Sequence, residues 1–417
     1  MEFDSVNSFS LRRTALAVAL AGTLVLAACG DDDDDDTSST EAAGAASTEP
    51  AAATTTGGSD TSTSGGTDST SASDTTEGGG DVTVAPMEPV SGTLIGAGAS
   101  SQTAAMQAWQ AGFQEANPDA TVEYDPVGSG GGREAFLAEG SNTDFAGSDA
   151  YLSDEEVEAS TTRCAGDQGA IDLPHYVSPI VVAFNLPDIE SLNLAPEVMA
   201  GIFAGTITTW DDDAIAADNP DVELPGTTIN AVHRSDESGT TQNFTQYLAA
   251  VAPDVWTYEP DQEWPLENGE GAQGTSGVVA AIQAGEGSVG YADASQVSGL
   301  GAGVPKVGDE WVPFSPEAAA KLVDVSTKVE GRNEYDLSFD LVRDTTESGV
   351  YPIALVSYHI VCLQYDSQEQ ADLVKAFMAY VGSSQGQADA AANAGSAPLS
   401  DDVLAQVETA VAQISAG

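Results

Sequence analysis

The chain has 417 residues and carries 66 acidic against 11 basic side chains, which gives a formal charge of −55 at pH 7. This length allows one large domain or two lobes. The charge excludes a nucleic-acid-binding protein, because affinity for a phosphate backbone needs clustered Lys and Arg. Since basic residues are so few, each one that falls within a motif is a candidate for a specific role.

The N-terminus is typical of an export signal. Arg12 and Arg13 form a short basic region, and an apolar run follows at residues 15–28. The run has the length of a signal-peptide core and is shorter than the roughly 20 apolar residues of a membrane-spanning helix. The Leu-Ala-Ala before Cys29 resembles a bacterial lipobox, whose cysteine is lipidated after cleavage. We predict a signal peptide at 1–28 and a lipid anchor at Cys29 on the outer face of the cytoplasmic membrane; the alternative is an ordinary signal peptide with an incidental cysteine.

Residues 29–90 have low complexity. Aspartate fills 31–36 without interruption, and Ser, Thr, Gly, Ala and acidic residues make up most of the remainder. Such a segment has too few large apolar side chains to offset the entropy cost of ordering. The composition predicts a disordered acidic tether that carries the folded part away from the membrane. A calcium site in the aspartate run is the less favoured alternative.

From about residue 92 onwards, strand and helix patterns alternate. The first predicted helix carries Ala105, Trp109 and Phe113 on one face. Strands alternating with helices predict an α/β fold with largely parallel sheets. The predicted strands lie at 93–95, 121–124, 144–146, 179–184 and 229–233, and the predicted helices at 102–116, 133–138 and 240–248.

Two cysteines remain in the exported part of the chain, Cys164 and Cys362. An oxidising compartment permits their pairing, and we predict a disulfide. The alternative is two buried free thiols. No cysteine spacing in the chain is typical of a zinc site.

Three segments share one design, in which a strand leads through a Gly- and Ser-rich turn into a helix. They lie at 98–101, 128–131 and 238–240. A helix start has unpaired backbone N–H groups and partial positive charge, and small residues let an anion approach them closely. Any one such serine is most often only a helix cap. Three of these helix starts that converge would form an oxyanion site.

Arg234 precedes the third segment and supplies a full positive charge on a planar fork that matches phosphate oxygens. Asp236 lies two residues on and can orient the guanidinium. Asp149 is an outlier, since a carboxylate repels an anion unless it accepts a hydrogen bond from a protonated ligand oxygen. Phosphate carries such a proton near neutral pH and sulfate does not, so an unmet acceptor would reject sulfate. On spacing alone, a helix N-cap is the favoured alternative for Asp149, and a surface charge is the alternative for Arg234.

Four segments occur in the order seen in the phosphate-binding receptor of the high-affinity phosphate ABC importer, with similar lengths between them. They are GAGAS at 96–100, GSGG at 128–131, FAGSD at 145–149 and RSDESGT at 234–240. IFAGTITTW at 202–210, GSVGY at 287–291 and YPI at 351–353 also match. The chain therefore resembles this receptor family from about residue 92 to its C-terminus.

The resemblance implies an α/β, two-lobed periplasmic-binding-protein-like (type II) fold with a hinge. Lobe I would comprise 91–175 and 353–417, and lobe II 176–352, with crossings near 174–178 and 351–357. The position of Ser101 is often Phe in the family and acts through its backbone N–H, so serine should be tolerated there. The residues that match the family's phosphate ligands are Ser100, Ser101, Ser129, Asp149, Arg234, Ser238, Gly239 and Thr240.

The implied function is capture of inorganic phosphate between the lobes and delivery to the permease and ATPase components of an ABC importer. No cofactor, metal or catalysis is implied. Two alternatives remain open, a receptor for another oxyanion such as sulfate or molybdate, and a secreted phosphoesterase. Against an enzyme, His233 and Arg234 point to opposite faces of a strand, and the chain has no Gly-x-Ser-x-Gly elbow. We predict structural roles for His175 and His359, and a surface position for Arg133.

Overall fold

The computed structural model describes residues 89–417, so the predicted signal peptide, Cys29 and the tether lie outside the described residues. The strands are β1 (Gly92–Gly98), β2 (Ala120–Asp125), β3 (Phe145–Ser148), β4 (Ala170–Phe184), β5 (Ser191–Leu194), β6 (Asn230–Arg234), β7 (Glu270–Ala272), β8 (Ser288–Asp293), β9 (Gly301–Val307), β10 (Glu310–Trp311), β11 (Thr327–Lys328), β12 (Phe339–Asp340), β13 (Ala354–Cys362), β14 (Gln364–Tyr365) and β15 (Ser415–Ala416). The helices are α1 (Thr103–Ala116), α2 (Ser129–Leu137), α3 (Asp154–Arg163), α4 (Pro196–Phe203), α5 (Asp213–Asp218), α6 (Gly239–Val251), α7 (Gly274–Ala284), α8 (Pro316–Val325), α9 (Gln368–Val381), α10 (Ser384–Ala394) and α11 (Asp401–Ala412), with a short 3₁₀ helix at Ala294–Gln296.

One sheet of 11 strands organises the fold. Its main path runs β2-β1-β3-β13-β4-β8-β6-β7, and β9 joins it through β4. The pairs of β1 with β2 and β3, and of β6 with β7 and β8, are parallel. The α/β class is therefore confirmed. The expectation of a largely parallel sheet is wrong at the centre, where β13 runs antiparallel to both β3 and β4, and β4 runs antiparallel to β8.

The two central strands are buried along their whole length. β4 is much longer than the predicted strand at 179–184, and it passes continuously through the predicted first crossing. Its register against β13 shifts between Ser357 and Tyr358, opposite Tyr176 and Pro174, so one residue of β4 is bulged out. The residue without a partner is His175, which directly follows Pro174, a residue with no backbone N–H to donate to the sheet. The division into lobe I and lobe II stays a prediction.

Two histidines meet beside this bulge. The Nδ1 atoms of His175 on β4 and His359 on β13 lie 3.0 Å apart, and Nε2 of His359 lies 3.0 Å from Oε1 of Gln102. One ring must donate and the other accept, which requires that at least one imidazole is neutral. Burial lowers the pKa of His359 to about 3, and burial together with His359 lowers the pKa of His175 well below its ordinary value. Both rings are therefore neutral core residues, with Trp109 packed edge-on against His359.

The predicted disulfide is confirmed. Cys164 follows α3 and Cys362 ends β13, and the two are bonded with a Cα–Cα distance of 5.4 Å across 198 residues of sequence. Both sulfurs lie in the hydrophobic core. The bond therefore links the segment after α3 to the end of the central strand β13. Among residues 89–417, no helix has both the length and the apolar character needed to cross a bilayer.

Candidate functional site

All eight predicted ligand residues are buried, and contacts through Asp149, Asp236 and the start of α7 join them into one cluster. Three of the segments follow the ends of β1, β2 and β3, which lie at one edge of the sheet because β1 is parallel to β2 and β3. The remaining segment follows β6, which pairs with β8 in the other part of the sheet. The roles of these residues in binding stay predictions. The residues of this cluster are Ser100, Ser101, Ser129, Asp149, Arg234, Ser238, Gly239 and Thr240.

Asp149 lies at the centre of the cluster and is only 3% exposed. Its Oδ1 accepts a hydrogen bond from the Ser101 hydroxyl at 2.6 Å, and its Oδ2 accepts one from the Thr240 hydroxyl at 2.8 Å. The helix that follows is capped by Ser153, whose side chain accepts from Glu156 in a capping box. The N-cap alternative for Asp149 is therefore wrong. A carboxylate oxygen has two lone pairs, so each still has capacity to accept from a ligand.

Two glycines let the starts of α2 and α6 approach each other. A Cβ added at Gly239 would lie 2.7 Å from the Ser129 Oγ and 2.8 Å from the Asp149 Cβ. Gly128 has a φ of 98°, and a Cβ there would lie 2.5 Å from Oδ2 of Asp236. No side chain fits at either position, because real Cβ atoms do not come this close to other heavy atoms. The starts of α2 and α6 therefore lie in close contact beside Asp149.

Helix α2 begins at Ser129, four residues before the predicted start at 133. Three consecutive glycines thus form its first turn, although glycine is a poor helix former. The reason is close packing: a Cβ on Gly132 would lie 2.4 Å from the Gly98 Cα, and one on Gly130 would lie 2.3 Å from a Glu237 carboxylate oxygen. Tertiary contact therefore overrides local propensity here.

Arg234 ends β6 and is 3% exposed. Its Nε donates to Oδ1 of Asp236 at 2.7 Å and its Nη2 donates to Oδ2, so the carboxylate holds the guanidinium in a bidentate pair. The backbone N–H of Gly274 also donates to Oδ1 of Asp236 at 3.0 Å. Burial raises the pKa of Asp236, but the hydrogen bonds and charge of Arg234 outweigh burial and leave the pKa below its ordinary value. The Asp236 carboxylate therefore stays ionised beside Arg234, and the remaining guanidinium N–H groups are available to an anion.

Two of the predicted serines have helix-start roles inside the protein. The Ser238 Oγ caps α6 by accepting from the Thr241 N–H at 3.2 Å. The Ser100 Oγ accepts from the Thr275 N–H at 3.0 Å and lies 3.1 Å from the Thr275 hydroxyl. A hydroxyl that accepts in this way keeps its own hydrogen for donation.

Helix α7 is a fourth helix start at this cluster, and the sequence interpretation missed it. Gly274 and Thr275 open the helix and contact Asp236 and Ser100 respectively. The run Gly-Thr-Ser-Gly at 274–277 has the same composition as the three recognised turns. This composition was the sequence feature that could have identified the helix start. The strand before it, β7, has only three residues and shows no strand pattern in the sequence.

The prediction that Arg133 lies on the surface is wrong. Its side chain is buried and donates to Ser148 Oγ at 2.9 Å, Glu156 Oε1 at 2.8 Å and Gln262 Oε1 at 2.7 Å. These partners come from three separate segments of the chain, so the local sequence around Arg133 could not predict that they meet. Arg133 also lines a cavity of about 150 Å³ beside Asp149. The other polar side chains of that cavity include Tyr151, Gln242, Asn243, Gln262 and Tyr358.

Residues 89–417 contain no cluster of three or more His, Cys, Asp or Glu side chains suited to hold a metal. His233 is half-buried, stacks on Trp264 at a ring-centroid distance of 5.1 Å and places Nδ1 2.9 Å from the Arg234 carbonyl oxygen. The His233 ring therefore contacts an aromatic ring and a backbone carbonyl.

Comparisons with known proteins agree on one family. A profile described as the PBP superfamily domain matches residues 83–385. Phosphate-binding protein PstS 3 of Mycobacterium tuberculosis is 36% identical over 328 residues, which cover 78% of this chain and 87% of that protein.

Solved structures show the same fold. A phosphate-binding protein from Stenotrophomonas maltophilia aligns with a TM-score of 0.58 at 20% identity, covering 76% of this chain and 93% of that one. A phosphate ABC transporter substrate-binding protein from Clostridium perfringens, solved with bound phosphate, aligns with a TM-score of 0.52 at 18% identity over 73% and 98% of the two chains. At these identities the structures establish the fold alone.

Proposed function

The chain belongs to the phosphate-binding proteins of the PBP superfamily, and we propose that it binds inorganic phosphate through the cluster around Asp149 and Arg234. The ligand residues proposed are Ser100, Ser101, Ser129, Asp149, Arg234, Ser238, Gly239 and Thr240, with Asp236 holding Arg234. Helix-start N–H groups, hydroxyls and one guanidinium supply donors for the anion's oxygens.

One observation carries this proposal: a buried carboxylate and a buried guanidinium belong to the same small cluster of donors. The guanidinium and the helix starts attract an anion of any kind. The Asp149 carboxylate makes binding selective, because it can form a hydrogen bond only with a ligand oxygen that bears a hydrogen. Phosphate meets both requirements near neutral pH, while sulfate and molybdate meet only the first.

The protein acts as a solute-binding receptor that delivers phosphate to the permease and ATPase components of an ABC importer. Its ligand residues come from both predicted lobes, with Asp149 from lobe I and Arg234 from lobe II. Binding across the two would favour a closed form by hinge motion. Relatives of this chain are binding proteins, and the proposal assigns no chemical step on phosphate.

The receptor works outside the cytoplasm, as the related phosphate-binding proteins do. We propose that lipidated Cys29 attaches it to the membrane. The observation behind this is the lipobox-like Leu-Ala-Ala-Cys at the end of the signal-like segment. A Cys29→Ser variant expressed in a bacterial host is expected to move from the membrane fraction to the medium or periplasm. Equal membrane retention of the variant and the natural chain would refute the anchor.

Titration calorimetry tests the function directly. The chain from residue 89 onwards, stripped of bound anion by mild unfolding and dialysis, is titrated with phosphate, arsenate and sulfate. We expect tight binding of phosphate, binding of arsenate because it is also protonated, and binding of sulfate at least about a thousandfold weaker. Sulfate binding equal to that of phosphate would favour the general oxyanion receptor, and no heat with any anion would refute the proposal.

A further inference from the structure

Arg343 is a buried arginine outside the proposed ligand cluster. It is 5% exposed, and its Nη1 donates to the carbonyl oxygens of Pro352 at 3.0 Å and Ala354 at 2.6 Å. The described part of the chain contains three ion pairs within 4.0 Å, and none involves Arg343. Burial lowers its pKa to about 9, so the group remains a cation at neutral pH. A buried cation held only by neutral oxygens is costly, and an apolar side chain would fill the same space without that cost.

The third partner of Arg343 is the side chain of Asn243, itself buried on α6. Nη2 of Arg343 donates to Oδ1 of Asn243. Since a guanidinium has no acceptor, this contact fixes which end of the Asn243 amide faces Arg343. The amide nitrogen then points the other way and donates to the Asp149 carbonyl oxygen at 2.7 Å and to the Gly239 carbonyl oxygen at 2.8 Å.

These contacts form a continuous chain of hydrogen bonds through three parts of the fold. Pro352 and Ala354 mark the return of the chain into β13, at the predicted second crossing. Gly239 is the first residue of α6, and Asp149 follows β3 on the other side of the cluster. Asn243 bridges the backbone of Asp149 and Gly239 through its amide nitrogen, beside the side-chain bond from Thr240 to Asp149, so its orientation governs a contact between the two sides of the proposed binding site.

We propose that Arg343 is a positioning residue that, through Asn243, latches the Asp149 segment to the start of α6 and thereby slows release of the bound anion. The inference rests on the proposed phosphate binding. The latch contributes no donor to the ligand itself. It therefore affects how long the site stays closed and leaves the choice between phosphate and sulfate unchanged.

The test compares phosphate release from the chain and its variants by stopped-flow, with a fluorescent phosphate sensor in excess as the trap. We expect Arg343→Gln and Asn243→Ala each to release phosphate about tenfold faster or more, with the double variant little faster than either single one because both break the same link. Arg343→Lys should recover part of the slow release. The ratio of phosphate to sulfate affinity, measured by calorimetry, should stay within about twofold of the natural value.

Arg163→Gln is a matched control, since the Arg163 guanidinium also donates to two carbonyl oxygens, those of Phe136 and Thr143, at the opposite end of β3. It should lower the melting temperature and leave the release rate unchanged. If Arg343→Gln melts lower but releases phosphate at the natural rate, the latch is refuted and the residue is merely structural. If Arg343→Gln fails to fold, unchanged release from Asn243→Ala refutes the latch equally. A natural chain that binds no phosphate refutes the proposed function, and the latch with it.

Discussion

Replacing Arg234 with glutamine is expected to weaken phosphate binding by at least about a hundredfold, as measured by titration calorimetry. Arg234 is the one basic side chain among the eight proposed ligand residues, and each hydrogen bond from a charged donor contributes about 1.5–3 kcal/mol. Two such bonds to phosphate oxygens account for roughly 3 kcal/mol or more, which corresponds to this loss. The substitution also leaves the Asp236 carboxylate unneutralised beside the ligand, because its bidentate partner is gone.

The control for Arg234→Gln is Lys321→Gln, which removes the same charge from an exposed position on α8. If the acidic field of the whole molecule governed affinity, both variants would weaken binding similarly. We expect Lys321→Gln to change affinity by less than about twofold, since exposed charges beyond the roughly 10 Å screening length contribute little at 0.1 M salt. Phosphate affinity within tenfold of the natural value in Arg234→Gln would contradict the proposed role of this arginine.

The second large effect concerns selectivity. Replacing Asp149 with asparagine is expected to lower the ratio of phosphate to sulfate affinity by about a hundredfold or more. The natural carboxylate can only accept hydrogen bonds, so it favours a protonated oxygen and leaves an unmet, repulsive acceptor against sulfate. The amide of asparagine is neutral and offers N–H donors, which suit a fully deprotonated anion. Competition calorimetry with the two anions at fixed pH measures the ratio.

Asp125→Asn is the matched control for Asp149→Asn. It removes one negative charge from an exposed position at the end of β2 and should leave the ratio unchanged. The hydroxyls of Ser101 and Thr240 both donate to Asp149, so Asp149→Asn also loses one internal hydrogen bond and should melt somewhat lower. An unchanged phosphate preference in a folded Asp149→Asn variant would refute the idea that this carboxylate detects the ligand's proton.

The two variants separate attraction from discrimination. Arg234→Gln should weaken phosphate, arsenate and sulfate alike, because a guanidinium attracts any oxyanion. Asp149→Asn should act mainly on the difference between protonated and unprotonated ligands. Arg343→Gln should act on release alone. Three distinct responses would support separate roles for two residues of the ligand cluster and for Arg343 outside it.

Local patterns predicted a large share of the architecture. The alternation of strands and helices gave the α/β class, and the apolar face of the first helix is buried as expected, with Trp109 and Phe113 in the core. Two cysteines in an exported chain predicted the disulfide that joins Cys164 to Cys362. Small residues at helix starts marked most of the segments that meet at the cluster. These features depend on residue type and short-range spacing, which a single sequence contains in full.

The tertiary structure alone decided the features that depend on contacts between distant segments. The antiparallel centre of the sheet, the burial of Arg133 and the contact of Gly274 with Asp236 have this character. So does the Arg343–Asn243–Asp149 chain, which links residues about a hundred or more positions apart in sequence. Periodicity and propensity report whether a residue is buried or helical, but not which partner it meets. Hydrogen bonds and close backbone approaches need that partner, and only the folded chain supplies it.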